Sequence, residues 1–277
     1  MPELPEVETV VRGLKARVEG KRLLRLTLNR ADLRQAIPAG LAAKVEGRRV
    51  VRIDRRAKYI LLHLADGGVL IAHLGMSGRL TLGDAAHPAA PRPHDHALMI
   101  FEDAIELRFN DPRRFGLIDY THAAVLPRHK LFLHLGPEPL APEFDGDALA
   151  RLLAGKQTPI KSALLDQRVV VGIGNIYACE SLYWAGLSPK RLARTVQGER
   201  AARLAQTIKR VLEHAIAAGG SSLRDYVDAS GGLGNFQRHF AVYDREGEPC
   251  PGCDCRTGIK RIVQSGRSTF YCAKRQR

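Results

Sequence analysis

The sequence predicts an α+β chain: a leading helix, an antiparallel β-sandwich, a helical domain and a small cysteine-bearing β-hairpin. Three observations predict it. Apolar residues recur at helical spacing from Val7 to Val18 and again beyond residue 158, short β-type runs separated by turn signals fill residues 23–120, and four of the five cysteines crowd into the last 28 residues.

After Pro5 the apolar residues Val7, Val10, Val11, Leu14 and Val18 fall on one helical face, with Arg12, Lys15 and Arg17 on the other. A helix buried along one side anchors the extreme N-terminus and prevents fraying. The β-type runs are Leu23–Leu28, Val45–Ile53, Tyr59–Leu64, Val69–Leu74, Ala97–Phe101, Ile105–Phe109 and Leu117–Tyr120. Asp66-Gly67-Gly68 and Glu102-Asp103 read as hairpin connections, so the strands are antiparallel. Residues 83–93, rich in Ala, Pro and His, form a loop. The proline-dense run Gly136-Pro137-Glu138-Pro139-Leu140-Ala141-Pro142 marks a domain boundary. Helices follow: one opened by Thr158-Pro159, one over Ile176–Ala185 ended by Gly186, and a long one over Glu199–Ala218 stopped by Gly219-Gly220. From Gly231 onward, glycine turns, paired cysteines and the run Ile259–Val263 describe the terminal hairpin.

At 277 residues, 45% hydrophobic and 26% charged, the chain has material for two domains with their own cores, and disorder is excluded. Glu3, Glu6 and Glu8 precede any apolar run, and no stretch reaches the length of a membrane span, so the expectation is a cytosolic protein without membrane contact. Lys and Arg total 43 against 29 acidic residues, a net charge of +14, which points to a polyanionic partner, nucleic acid first. Cysteines bunched at one end, without an export signal, suit a metal-binding module better than a disulfide framework.

The start Met1-Pro2-Glu3-Leu4-Pro5-Glu6 carries chemistry of its own. Removal of Met1 leaves a secondary amine beside a carboxylate. An amine that attacks a sugar carbon forms an iminium, a positively charged electron sink that divides a hard cleavage into easier steps. A terminal amine, with a reference pKa of about 7.7 to 8.0, is more often free base near neutrality than lysine at about 10.4.

With the helical domain and the terminal cysteines, MPELPEVETV resembles the start of the formamidopyrimidine-DNA glycosylases, base-excision enzymes for oxidised purines. The resemblance spans the whole chain. Its further motifs are Arg56-Ala57-Lys58-Tyr59, His73-Leu74-Gly75-Met76-Ser77-Gly78, Asn110-Asp111-Pro112-Arg113-Arg114-Phe115-Gly116, Gly172-Ile173-Gly174-Asn175-Ile176-Tyr177 and the stretch from Gln264 to Cys272. It implies an N-terminal catalytic sandwich over residues 1–136, a helix-two-turns-helix DNA-binding domain over 137–235 and a zinc-finger-like hairpin over 236–277.

The resemblance implies that Pro2 is the nucleophile at C1′ and that Glu3 protonates the sugar ring oxygen and shuttles protons. Lys58 and Arg267 become catalytic by the same match: Lys58 in the elimination chemistry, Arg267 in δ-elimination and in gripping the phosphates beside the lesion. On sequence alone Lys58 would be a plain phosphate contact. A base stacked in a duplex must be extruded before an amine can reach its sugar, and the gap must be filled. Met76, Arg113 and Phe115 match the family's void-filling trio: a thioether, a guanidinium for the orphaned cytosine and a ring to stack. His94, Asn175 and Lys161 match DNA contacts. Gln157 stands where relatives often carry lysine, so Lys156 substitutes. The glycine- and serine-rich segment 219–234 corresponds to the loop that closes over the extruded base.

Cys250 and Cys253 have zinc-ligand spacing, and Cys272 supplies a third thiolate from the second hairpin strand. The family expects a fourth cysteine where this chain has Arg275, so the four-thiolate site is broken as written. Cys255 completes it only with unusual chain geometry, His239 is a weaker candidate, and substoichiometric zinc is the expectation. The implied partner is double-stranded DNA containing oxidised purines, bound by a monomer in the nucleoid-bearing cytosol of a bacterium. The competing reading is an endonuclease VIII-like glycosylase for oxidised pyrimidines, whose members usually carry Gly where this chain has Leu4. A non-catalytic DNA-binding protein would need no terminal amine.

Overall fold

The computed structural model describes residues 2–222 and 226–277. The expected removal of Met1 and positions 223–225 of the 219–234 loop lie outside the described residues. The chain forms two compact units, residues 1–133 with 218–237, and residues 134–217 with 238–277.

In the first unit helix α1 (Leu4–Val18) opens with Pro5 in its first turn, where a missing N–H costs nothing, and buries Val7, Val10, Val11, Leu14 and Val18. Strands β1 (Leu23–Leu28), β6 (Asp95–Phe101), β7 (Ile105–Asn110) and β5 (Arg79–Asp84) form one antiparallel sheet in the order β1-β6-β7-β5. Strands β2 (Val50–Arg56), β3 (Tyr59–Leu64), β4 (Gly68–His73) and β8 (Leu117–His122) form the other, in the order β2-β3-β4-β8. Their apolar faces meet in a sandwich: Leu26, Leu80, Met99, Leu107 and Phe109 of the first face Leu62, Leu70, Ala72 and Ile118 of the second.

In this unit the sequence reading differs at three places. Residues 45–53 are not one strand: Gly40, at φ +65°, starts the short helix α2 (Leu41–Val45), and β2 begins only at Val50. Residues 79–84, unassigned or placed in the loop at 83, form β5, whose alternation of Leu80 and Leu82 with polar neighbours is short and bounded by glycines. The segment 218–237 packs within the first unit: Leu82 N–H donates to Ala229 O (2.7 Å), and a Cβ on Gly13 of α1 would stand 2.8 Å from Ala229 Cβ.

The second unit holds α3 (Gly146–Leu153), α4 (Ile160–Leu165), α5 (Asn175–Trp184) and α6 (Glu199–Ala217), with the hairpin β9 (Lys260–Gln264) and β10 (Arg267–Tyr271). Helix α3 was not foreseen. Asp145 caps it, accepting the Ala148 N–H at 2.8 Å, and Leu149 and Leu153 anchor it. Among the described residues no helix is long and apolar enough to cross a membrane.

Candidate active site and nucleic-acid interface

Pro2 and Glu3 are buried at the head of α1. Glu3 and Glu6 form a reciprocal capping box, with the Glu3 N–H donating to Glu6 Oε2 at 2.8 Å. The other Glu6 oxygen accepts the Ser221 N–H at 2.8 Å, and Gly220, at φ +79°, lies so close that a Cβ would sit 3.0 Å from Glu6 Oε1. One buried carboxylate thus fixes both the terminus and the 219–221 turn, a role the sequence reading gave to no residue.

Lys58 is buried in the turn between β2 and β3, after Ala57 at φ +54°. Arg55 ties this turn to α1: its Nε donates to Glu8 Oε2 (3.0 Å) and its Nη1 to Ala57 O (2.9 Å). The helix that opens at Glu3 and the turn that bears Lys58 are therefore braced together. His73, at the end of β4, accepts the Gly75 N–H on Nδ1 at 2.9 Å, and its ring lies 4.9 Å from that of Tyr59. Burial first, then the positive charges of Lys58 and Arg34, push its pKa down to about 4, so the ring is neutral at pH 7.

The three expected wedge residues stand on two touching loops. Gly75 has φ +61°, and a Cβ there would lie 2.3 Å from the Phe115 carbonyl carbon, so the 74–78 and 112–116 backbones pack directly. Asp111, fully buried, is the hub: it accepts Ser77 Oγ–H (2.6 Å) and Gly116 N–H (2.7 Å), while Ser77 Oγ accepts the Arg113 N–H (3.2 Å). On this frame Met76 and Phe115 are exposed by 37% and 44%. The Arg113 guanidinium lies 4.8 Å over the Phe115 ring. His94 is exposed at φ +71°, and its carbonyl accepts the Asp111 N–H at 3.0 Å. Arg108, buried, holds the preceding loop by donating to Ala89 O, Ala90 O, Asp95 and Glu106.

In the second unit, Asn175 opens α5 and donates from Nδ2 to Ser268 O at 2.9 Å; its Oδ1 is buried without a partner. Lys161 is fully enclosed, its Nζ donating to Ser268 O (2.9 Å) and Thr269 Oγ1 (2.7 Å), so its ammonium faces the hairpin and not solvent. Lys156 is half-buried, and Gln157 accepts Arg194 Nε–H at 2.9 Å. Arg267 is exposed beside the two-residue turn Ser265-Gly266, both at positive φ as a tight hairpin turn requires. Glu180, fully buried, accepts the N–H groups of Ala241, Val242 and Tyr243 at 2.9, 3.0 and 2.9 Å, and burial pushes its pKa up against those bonds. Nothing in the sequence distinguished it from an ordinary surface glutamate.

The sulfurs of Cys250, Cys253, Cys255 and Cys272 all lie within 4.8 Å of one another. Cys255 therefore supplies the fourth donor, and the expectation of a donor set broken at position 275 is corrected: the chain turns back after Cys253. Cys253 and Cys255 each stand 3.5 Å from Cys272, against about 3.8 Å between thiolates on a tetrahedral zinc. The donor set fits such an ion. His239 packs its ring 5.0 Å from that of His214 and is outside the cluster. Arg275 lies over the rings of Tyr183 (4.9 Å) and Trp184 (5.8 Å) and donates to Gly252 O (3.1 Å), holding the cysteine knuckle from outside. The Tyr183 hydroxyl lies 3.4 Å from Cys250 Sγ. Burial raises the Cys250 pKa, and hydrogen bonds from Tyr183 and Gly252 more than offset it, leaving it at about 7.

Residues 1–118 match the model of the formamidopyrimidine-DNA glycosylase N-terminal domain, and residues 135–227 that of the H2TH domain of the same enzymes. The chain is 55% identical, over the whole of both chains, to the formamidopyrimidine-DNA glycosylase of Rhodospirillum rubrum. It superposes on the MutM (Fpg) protein of Thermus thermophilus with a TM-score of 0.87 at 41% identity, covering 99% of this chain and 98% of that one. It superposes on Lactococcus lactis Fpg in complex with DNA containing N7-benzyl-Fapy-dG with a TM-score of 0.90 at 32% identity, covering both chains fully. The chain belongs to the formamidopyrimidine-DNA glycosylase family.

Proposed function

We propose that the chain is a bifunctional DNA glycosylase and abasic-site lyase acting on oxidised purines, 8-oxoguanine and formamidopyrimidines, in double-stranded DNA. The observation that carries this reading is the Pro2-Glu3 start held in place by the Glu6 capping box, which gives a terminal amine and a carboxylate one fixed geometry. With Met1 removed, the Pro2 nitrogen bonds to C1′ as the glycosidic bond breaks, and the base leaves with the bonding pair. Glu3 protonates the ring oxygen, the sugar opens, and an iminium forms. Loss of H2′ then expels the 3′ phosphate; loss of H4′ expels the 5′ phosphate; water releases the protein. Lys58 serves the eliminations, and Arg267 the second of them.

Met76, Arg113 and Phe115 fill the space left by the extruded nucleotide, while His94, Arg113, Asn175 and Lys156 hold phosphates. Lys161, enclosed as it is, is left out of the direct contacts. The working division is a catalytic module over residues 1–136, a DNA-binding module over 137–235 and a finger over 236–277, in a cytosolic monomer. Zinc, held by Cys250, Cys253, Cys255 and Cys272, supplies a structural crosslink to the finger and no step of the chemistry.

Borohydride trapping on an 8-oxoguanine:cytosine duplex tests the reading. A covalent adduct is expected with the native chain, none with Pro2→Gly, and a weaker one on a thymine glycol duplex. Absence of the adduct on the purine lesion would overturn it, and preference for thymine glycol would move the chain to the endonuclease VIII-like reading.

A further inference from the structure

We propose that Lys161 is a positioning residue for Arg267, acting from α4 through the hairpin strand that carries the arginine. The proposal rests on the reading of Arg267 as the residue that serves the second elimination.

Lysine is seldom fully buried without partners, and Lys161 has no exposed surface. Two of its partners lie on one strand: Nζ donates to Ser268 O at 2.9 Å and to Thr269 Oγ1 at 2.7 Å. Pairing geometry explains why that carbonyl is available. The two-residue turn 265–266 makes Gln264 and Arg267 the closing pair of the hairpin, which exchanges both hydrogen bonds. The next pair, Val263 and Ser268, is therefore the non-bonded kind, with its N–H and C=O groups directed away from the ladder.

Among the described residues this sheet has two strands, and no third strand is there to accept those groups of β10. Lys161 and Asn175 take that place: Asn175 Nδ2 donates to the same Ser268 carbonyl at 2.9 Å, using its second lone pair. Beside Lys161, the Ser162 hydroxyl stands 3.0 Å from the Ser265 hydroxyl in the turn. Two consecutive α4 residues thus grip the hairpin on either side of Arg267, one at the turn and one at the strand. An isolated two-stranded hairpin is marginally stable, and a charged donor makes the stronger kind of hydrogen bond. Burying an ammonium merely to fill space would be costly, since an apolar side chain packs there without desolvation. What the ammonium adds over a methionine of similar length is the fixed position of Ser268, the residue next to Arg267.

The test uses the full-length protein on a duplex with a preformed abasic site, comparing Lys161→Met, Thr269→Val and Arg267→Ala. The readout is the ratio of δ-elimination product, a 3′ phosphate end, to β-elimination product, an unsaturated aldehyde end. Both are normalised to the borohydride-trapped adduct. A loss of general stability lowers adduct and both products together and leaves the ratio unmoved. Lys161→Met is expected to lower the ratio about fivefold or more, and Thr269→Val, which removes one acceptor, about twofold. Arg267→Ala is expected to abolish the second product. A native ratio in Lys161→Met, with Arg267→Ala deficient, overturns the inference alone. A native ratio in Arg267→Ala removes the reading of Arg267 and the inference with it. Should Lys161→Met fail to fold by circular dichroism, Thr269→Val decides: a native ratio there overturns the proposal.

Discussion

The Glu6 carboxylate joins the Glu3 amide to the Ser221 amide, so helix α1 behind Pro2 and the 219–221 turn share one buried anion. In sequence it was one of several acidic residues after Pro5, because a capping box is legible only by spacing and its second partner lies 215 residues away. Pro2, Glu3 and Lys58 were nameable from motifs, yet the brace from Glu8 through Arg55 to Ala57 was not, since it joins a helix to a turn of unrelated sequence. His73 yields a stability prediction. Its folded pKa, pushed down from 6.5 to about 4, makes the unfolded chain the first to take a proton as pH falls. Above pH 6.5 the group has no effect; between 6.5 and 4 it destabilises the folded state progressively, by about 3 kcal/mol in all. Denaturant melts of the native chain and His73→Gln, which keeps an acceptor for the Gly75 N–H, are expected to diverge by that amount across this window. Parallel pH profiles would refute the assignment.

At the scale of elements, strands with flanking turn residues were readable, whereas β5 and α3 were lost because each is short, β5 interrupted by Gly83 and α3 only eight residues long. The 74–78 and 112–116 loops depend on backbone contact that no pattern in either loop announces. Gly75→Ala places a Cβ 2.3 Å from the Phe115 carbonyl carbon at φ +61°, so neither a rotamer nor a small shift relieves it. The variant is expected to lose about 2 kcal/mol or more of stability and to excise lesions poorly even below its melting transition. Single-turnover rates, measured at saturating enzyme, check this. In the finger, C-x2-C-x-C places three thiolates in one turn and leaves one to β10, while Arg275 covers the knuckle from the aromatic side. One zinc per chain is expected, with Cys255→Ser reducing retention against a chelator by about tenfold or more. Metal analysis, and the charge-transfer band of the cobalt-substituted protein, read it out. A native band in Cys255→Ser would remove Cys255 from the ligand set.

For the whole molecule, the net charge of +14 is the most general property and the least specific. It sets how affinity responds to salt. With Arg113, Lys156 and Arg267 as cationic phosphate contacts, the logarithm of the association constant is expected to fall with the logarithm of salt at a slope of about −3, or some 40-fold between 50 and 200 mM. Fluorescence anisotropy on an abasic-site analogue duplex measures the slope; a value near −1 would contradict a phosphate-gripping interface. Replacing Arg113 is expected to reduce the slope by about one, whereas Phe115→Ala, which removes a stacking surface and no charge, leaves the slope and lowers affinity.

The sequence by itself determined what lives in contiguous residues: the Pro2-Glu3 start, the helix behind it, most of the β-runs, the glycine-marked loops of Met76 and Phe115, and the basic balance. These are local properties, set by spacing, propensity and charge. Only the tertiary structure decided what depends on residues far apart meeting: that Glu6 holds Ser221, that Asp111 ties the loops of Ser77 and Gly116, that residues 218–237 belong with the sandwich, and that Cys255 closes a cluster which motif spacing left open. The physical reason is the same in each case. A buried polar or ligating atom takes its role from the partner that satisfies it, and that partner is chosen by how the chain packs, not by the residues beside it.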